Sequence, residues 1–419
     1  MNRTLSYSDF SKQKILEVGI LSGQTIEFEI LSDGRGPRSV SLKDGMVCYE
    51  GRCCDRLCLL PYSCATGFSE ASFALYGVTI GIGFHWQQKE KQLFAGGLDI
   101  IVSDAKLVAV NRIGVEDYLL SVISSEMSSS ADLEFLKAHA VISRSWVMCQ
   151  IDNRKRRHDA SAHAVSGTVS SGKDGGKTEI RRWYDHDDHK DFDVCADDHC
   201  QRYQGLSRAV GENVRNAVLS TFGEVLRYDG KLCDARFSKC CGGRTEIFSS
   251  CWDDVDYPYL VSKDDPFCAQ ADAAVLGRVL NDYDAATKDF LEWKEVLSPQ
   301  KVRHLINAKL GLDLGDITGM EALQRGPSGR ITKLRISGKD GVAEIGKELE
   351  IRRVLSESHL RSSAFSAVRS ETGDFILRGR GWGHGVGLCQ IGAAVMAAQG
   401  CDYRQILQFY YPEVEISCD

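Results

Sequence analysis

Apolar positions along the chain change period several times. From residue 15 to about 110, β-branched and aromatic residues alternate or cluster in the runs ILEVGIL, TIEFEIL, SVSLKDGMVCYEG and LDIIVSD, separated by Gly, Asp and Ser, which predicts short strands. From 116 to 150 the period becomes helical: EDYLLSVISSEM and, past Ser128-Ser129-Ser130, ADLEFLKAHAVISRSWVMCQ predict two helices. Ser130 is the expected N-cap of the second, with Asp132 and Glu134 in a first turn that favours acids. Residues 153–182 are polar and rich in Gly, Ser and charge, the pattern of a long exposed loop. Mixed strand and loop follow over 205–262, then a helical stretch over 270–325 carrying AAVLGRVLNDY and QKVRHLINAKLGL. Strands return at RITKLRISG and DFILRGRGWGHG. A helix with Leu388, Ile391, Val395 and Met396 is capped at Gly400, and DYRQILQFYYPEVEI predicts a helix stopped before Pro412 and a last strand.

The helix over 131–150 carries two apolar faces, Leu133, Leu136, Ala140, Val141, Val147 and Met148 on one, Phe135, Ala138, Ile142, Trp146 and Cys149 on the other. It is expected to be buried on both sides. Lys137 and Arg144 fall within the first face, where an unpaired cation costs several kcal/mol. The carboxylate expected to meet them is Glu126, across the serine turn. This spacing fits a buried ion-pair network joining two helices as well as it fits a polar cleft.

Composition narrows the classes. In 419 residues, 51 basic and 58 acidic side chains give a net charge of −7 without an extended basic block, which argues against nucleic acid as the partner. No apolar run reaches the ~18 residues of a transmembrane segment, and MNRTLSYSDFSKQKILEV has no signal-peptide core. The 16 cysteines include Cys53, Cys54, Cys58 and Cys64, and then Cys233, Cys240, Cys241, Cys251 and Cys268; they suit either disulfides or metal.

Gly379, Gly381, Gly383, Gly385 and Gly387 alternate with Arg380, Trp382, His384 and Val386. As an extended strand this run would have one bare face, open to a ligand lying close to the backbone, and one face with a cation, an indole and an imidazole. WYDHDDHKDFDVCADDHCQRYQG places His186, His189, Cys195, His199 and Cys200 within fifteen residues, donors that suit tetrahedral zinc. His189, Cys195, His199 and Cys200 form the most compact set; a hard cation on the intervening acids and a disulfide from Cys195 or Cys200 are the alternatives. FSKCCGGRT reads as a tight turn with a disulfide, since no Gly-x-Ser-x-Gly elbow is present. No phosphate-binding motif occurs, so no nucleotide cofactor is expected.

NRIGVEDYLLSVISSEMSSSADLEFLKAHAVISRSW, FSKCCGGRTE, YPYLVSKDD and GRGWGHGVGLCQIGAAVMAAQG resemble, in order and spacing, the SpoIID/LytB family of stage II sporulation protein D and amidase-enhancer proteins, over roughly residues 90 to 412. The resemblance implies an α+β fold: a β-rich region over 1–110, catalytic helices, metal-binding loop and GG turn over 111–269, a helical insertion over 270–325, and the glycine-rich strand and last helices over 326–419. It implies lytic transglycosylase activity on peptidoglycan strands lacking stem peptides, with anhydro-muramic products. Non-catalytic stimulation of a cell-wall amidase, by an enhancer or glycan-binding module, is the alternative. Glu126 matches the family's catalytic glutamate, and Lys137 and Arg144 match cationic positions of its cleft. Ser238, Arg380, Trp382, His384 and Gln390 are the expected sugar-binding residues. Zinc known in some members raises the expectation of a structural ion at His189, Cys195, His199 and Cys200. Many relatives carry Tyr or His where this chain has Phe237 and Ser238, so the resemblance does not carry over the Tyr or His contact made there in relatives. A cell-envelope or extracellular location is implied, although the sequence shows no export signal. One acid suffices if the sugar's own 6-hydroxyl attacks, whereas hydrolytic glycosidases use two. Cations beside that acid would favour its ionised form, so burial must dominate there or the cations must serve the substrate.

Overall fold

Alternating burial in the N-terminal runs builds two sheets, antiparallel except where Val194–Cys195 joins the second in parallel. The computed structural model describes residues 13–62, 70–81, 87–159, 173–174, 177–182, 189–197, 199–207, 211–281 and 289–418. Strands Arg52–Cys54, Met46–Tyr49, Arg38–Lys43, Thr25–Ile30, Phe73–Ile80 and Gln88–Phe94 form one sheet in that spatial order. The other is ordered Val194–Cys195, Ile15–Gly23, Lys106–Gly114, Gly97–Ser103, Arg56–Leu60. In Thr25–Ile30 every second residue, Ile26, Phe28 and Ile30, is buried, the period-two pattern of a half-covered sheet. Cys48 and Cys53 are disulfide-bonded across a hairpin; Cys64 lies outside the described residues.

Eight α-helices occur among the described residues, in a mixed α+β, β-rich fold. α1 (Val115–Glu126) leads straight from strand Lys106–Gly114, and α2 (Leu133–Asp159) packs on it. Asp132, not Ser130, caps α2: its Oδ1 accepts the Glu134 N–H (2.9 Å), and its carbonyl accepts the Leu136 N–H (3.0 Å). Ser130 instead donates to the Arg278 carbonyl (3.2 Å). Both apolar faces of α2 are buried, as its wheel requires. α3 (Glu212–Ser220) joins this group.

The expected loop over 153–182 differs: α2 runs to Asp159, and Lys177–Arg181 is a strand parallel to Val342–Gly346. Residues 270–325 are mixed rather than helical, with α4 (Ala273–Val279), strand Glu292–Leu297, α5 (Pro299–Leu310) and strand Ile317–Arg325. The two strands recruit sheet neighbours outside the window, Phe375–Arg380 and Ile331–Gly338, so long-range pairing overrides local pattern. With α6 (Glu348–Val354) they bury a second core around Leu297, Ile306, Ile336, Ile351 and Leu377. α7 (Gln390–Ala398) and α8 (Tyr403–Tyr410) return to the first core, α8 through a full capping box at Asp402. Gly400, at φ 91°, follows α7 in the left-handed conformation expected of a helix stop. No described helix is long and apolar enough to cross a membrane.

Candidate functional site

Glu126 is the last residue of α1 and is half-buried. Its Oε1 accepts the Arg202 backbone N–H (3.1 Å), and its carbonyl accepts from Lys239 Nζ (3.0 Å). Lys239 lies in the FSKCCGG stretch, whose strand Phe237–Ser238 runs parallel to Leu388–Cys389 just after the glycine run. Cys240 exchanges backbone hydrogen bonds with Trp382 (3.0 and 2.8 Å). The acid and the indole are therefore linked through two consecutive residues, Lys239 to Glu126 and Cys240 to Trp382.

Lys137 and Arg144 do not serve Glu126. Arg144 is buried and grips Glu116, in the first turn of α1, through Nε and Nη2 (2.8 and 2.7 Å); its Nη1 donates to the Glu224 carbonyl (2.9 Å). Gly223 N–H completes the cage on Glu116 (3.3 Å). Lys137 pairs with Glu134 three residues earlier (2.6 Å) and lies over the Tyr403 ring (5.7 Å). Both are structural ties, Arg144 between helices and Lys137 toward α8. The expected conflict between two cations and a general acid does not arise from this pair.

The glycine run is not an extended strand. It is one only to Arg380; Gly381, Gly383, Gly385 and Gly387 then take φ of 76°, 91°, 77° and 71°, open only to glycine at low cost. The side where Cβ atoms are missing is filled by the protein itself. A Cβ would lie 2.1 Å from the Trp293 ring at Gly379, 2.5 Å from the Arg330 guanidinium at Gly385, and 2.0 Å from the Arg236 carbonyl at Gly387. Arg330 donates to the carbonyls of Gly383 (3.0 Å) and Cys241 (3.1 Å), threading the run onto the GG turn.

Two expected sugar contacts, Ser238 and Gln390, are thereby buried, and a third, the half-buried His384, is engaged by the protein itself. Ser238 is buried, its Oγ accepting the Gly385 N–H (3.2 Å). His384 Nδ1 accepts the Val386 N–H (3.0 Å), its ring meets Trp252 (4.8 Å), and burial beside Arg236 and Arg330 holds the imidazole neutral, well below its ordinary pKa. Gln390 is buried, its Nε2 2.9 Å from His139 Nε2. Two expected contacts stay reachable. Trp382 is half-buried, with Phe290 (5.4 Å) and the Arg361 guanidinium (5.7 Å) at its ring. Arg380 is exposed and lines a cavity of ≈ 470 Å³ with Gly242, Gly243, Phe290 and Glu292.

Sequence reasoning missed Lys239, Arg202 and His139. Lys239 had a signal, its place in FSKCCGG. His139, packed edge-on against Phe237 (4.8 Å), is held neutral with its pKa lowered to about 3 by burial and by nearby Lys239. An imidazole inside an apolar helical face gives no such signal.

His189, Cys195, His199 and Cys200 do converge, with ligand atoms all within 4.8 Å of one another; His186 lies outside the described residues. Strand Val194–Cys195 pairs with Val18 and Gly19, where a Cβ would strike Phe192 (2.6 Å), so only glycine admits the loop. Cys200 holds the Cys195 thiol far below its usual range, helped by both imidazoles, and His189 Nε2 is buried with no hydrogen-bond partner among the described residues. An orphaned imidazole nitrogen beside an acidified thiol fits a soft or borderline metal. The same loop continues to Arg202, and Gln204 N–H donates to Ser121 Oγ of α1 (3.0 Å), so its position sets the hydrogen bond on Glu126.

Residues 103–228 match a family model described as Stage II sporulation protein, and residues 246–387 match a domain of unknown function. The first match contains Glu126, Arg202 and the four His and Cys residues; the second contains Arg380, Trp382 and His384. An uncharacterized protein of Brachyspira hyodysenteriae is 28% identical over 324 residues, 77% of this chain and 72% of that protein. The stage II sporulation protein D of Bacillus amyloliquefaciens is 26% identical over 310 residues, 74% of this chain and 76% of that protein. The amidase enhancer of Bacillus subtilis is 28% identical over 238 residues, 51% of this chain and 33% of that protein.

Proposed function

From the premise that this chain belongs to the SpoIID/LytB family, we propose that it is a cell-envelope enzyme that cleaves peptidoglycan glycan strands, bare of stem peptides, by lytic transglycosylation. The observation that carries this reading is Glu126: a half-buried carboxylate at a helix end, oriented by one backbone N–H and standing beside Lys239. Glu126 as acid gives its proton to the glycosidic oxygen, and the C1–O bond breaks. The muramic 6-hydroxyl oxygen closes on C1, and its proton returns to the Glu126 carboxylate. No water is consumed and no second carboxylate is needed, unlike hydrolysis.

Trp382 offers a ring for sugar stacking, with Arg361 and Arg380 for hydroxyl and carbonyl oxygens. A zinc ion at His189, Cys195, His199 and Cys200 belongs to the same proposal, in a structural role that fixes the loop bearing Arg202. In an assay of denuded glycan, Glu126→Gln should release anhydro-muramic products about 10²–10⁴-fold more slowly than wild type while unfolding like it; normal turnover by this variant ends the proposal.

A second reading is stimulation of a cell-wall amidase, and one observation favours it. Lys137 and Arg144 are spent on structural ion pairs, so they give no support to catalysis. Cleavage by the purified chain alone separates the two, since an enhancer acts only when the amidase is added.

A further inference from the structure

The tight turn in FSKCCGG and two distant segments bring together a set of donors that the sequence scatters. Cys241 comes from the turn, Asp265 and Cys268 from the DDPFC segment, and Cys389 from the residue that caps α7. Their ligand atoms all lie within 4.8 Å of one another, and all four residues are buried. Cys241 Sγ is 3.7 Å from Cys268 Sγ and 3.1 Å from Asp265 Oδ2.

The frame around them is hydrogen-bonded as a ligand shell is. Asp265 Oδ1 accepts the Phe267 N–H (2.9 Å), and Oδ2 accepts the Tyr410 hydroxyl (2.9 Å). Cys389 Sγ accepts the N–H groups of Cys241 (3.2 Å) and Gly392 (3.4 Å), at the N-terminus of α7. Such contacts stabilise anionic sulfur and oxygen. A carboxylate sealed from water is costly without a compensating cation, and three thiols beside it are soft donors for one. Lys263, which acts on Asp265 electrostatically, sends its Nζ to the Phe409 carbonyl.

The separations select the occupant. Zn–S bonds of about 2.3 Å in a tetrahedron put neighbouring sulfurs about 3.8 Å apart, whereas a disulfide needs about 2.05 Å. We propose that Cys241, Asp265, Cys268 and Cys389 bind a single tetrahedral zinc ion, distinct from the His189 set. Cys240, whose buried thiol borders Cys268 and Cys389, does not belong to that mutually close set of four donors. The ion clamps the GG turn, the DDPFC segment and α7 together and so fixes the neighbours that carry Lys239 and Trp382. Its binding energy becomes folding energy.

The test is zinc content by elemental mass spectrometry of the full chain purified from zinc-supplemented culture. Cys268→Ser should lose one zinc per chain relative to wild type and Cys240→Ser none, whether or not the His189 set is loaded. Should Cys268→Ser fail to fold, X-ray absorption on the His189→Ala/Cys195→Ser variant should show one retained zinc with about three sulfur neighbours. Unchanged zinc in folded Cys268→Ser, no retained zinc in that double variant, or a disulfide within Cys240, Cys241, Cys268 and Cys389 of wild type by non-reducing peptide mapping overturns the site.

Discussion

Two glutamates on one helix have opposite surroundings. Glu116, in the first turn of α1, is buried and caged by the Arg144 guanidinium and the Gly223 N–H. Glu126, at the other end, is half-buried, with the Arg202 N–H on its Oε1 and Lys239 at its carbonyl. The first has its charge fully matched and shut away, which anchors a helix pair but leaves nothing for a substrate. The second keeps an open side. Cations at helical spacing cannot tell which acid they serve, since Glu116 and Glu126 are both on the helix that α2 packs against.

The sharpest break in this comparison is a pair of isosteric changes. Glu126→Gln should cut turnover on bare glycan by about 10²–10⁴-fold at unchanged melting temperature, the scale of a lost general acid; Glu116→Gln should instead lower stability. Arg144→Met leaves Glu116 buried without its cation and should cost about 3–5 kcal/mol in urea unfolding, with turnover per folded molecule preserved.

His139 supplies a pH test. Its folded pKa of about 3 lies below the unfolded value of about 6.5, so the unfolded chain binds the extra proton between them. Its contribution is full above pH 6.5 and falls as pH drops toward 3, about 2 kcal/mol by pH 5. Urea unfolding from pH 7 to pH 5 should show this loss, and His139→Asn should flatten it. The smallest effect is expected at Lys137→Ala, about 0.5 kcal/mol or less by the same unfolding, because its pair with Glu134 is a partly exposed i,i+3 contact.

Legibility followed sequence distance. Helices α1 and α2 were readable because each completes its apolar pattern within itself, and the His189 to Cys200 set because its donors fall within one short loop. The cage on Glu116 was hidden, since Arg144 lies 28 positions away and Gly223 lies 107. The Cys241, Asp265, Cys268 and Cys389 set was hidden for the same reason. The glycine run was misread differently. Alternation with Trp and His fits an extended strand, yet positive φ at four successive alternate glycines lets Arg330, Ser238 and Arg236 approach instead of a ligand. Glycine's freedom is visible in a sequence; which neighbour uses it is not.

The central claim, that Glu126 works as a lone acid and base without water, is tested most directly by mass analysis of products from peptide-free glycan incubated with the purified chain. The account predicts 1,6-anhydro-muramic ends, with no oxygen-18 incorporated from labelled water. Reducing ends carrying oxygen-18 would contradict it.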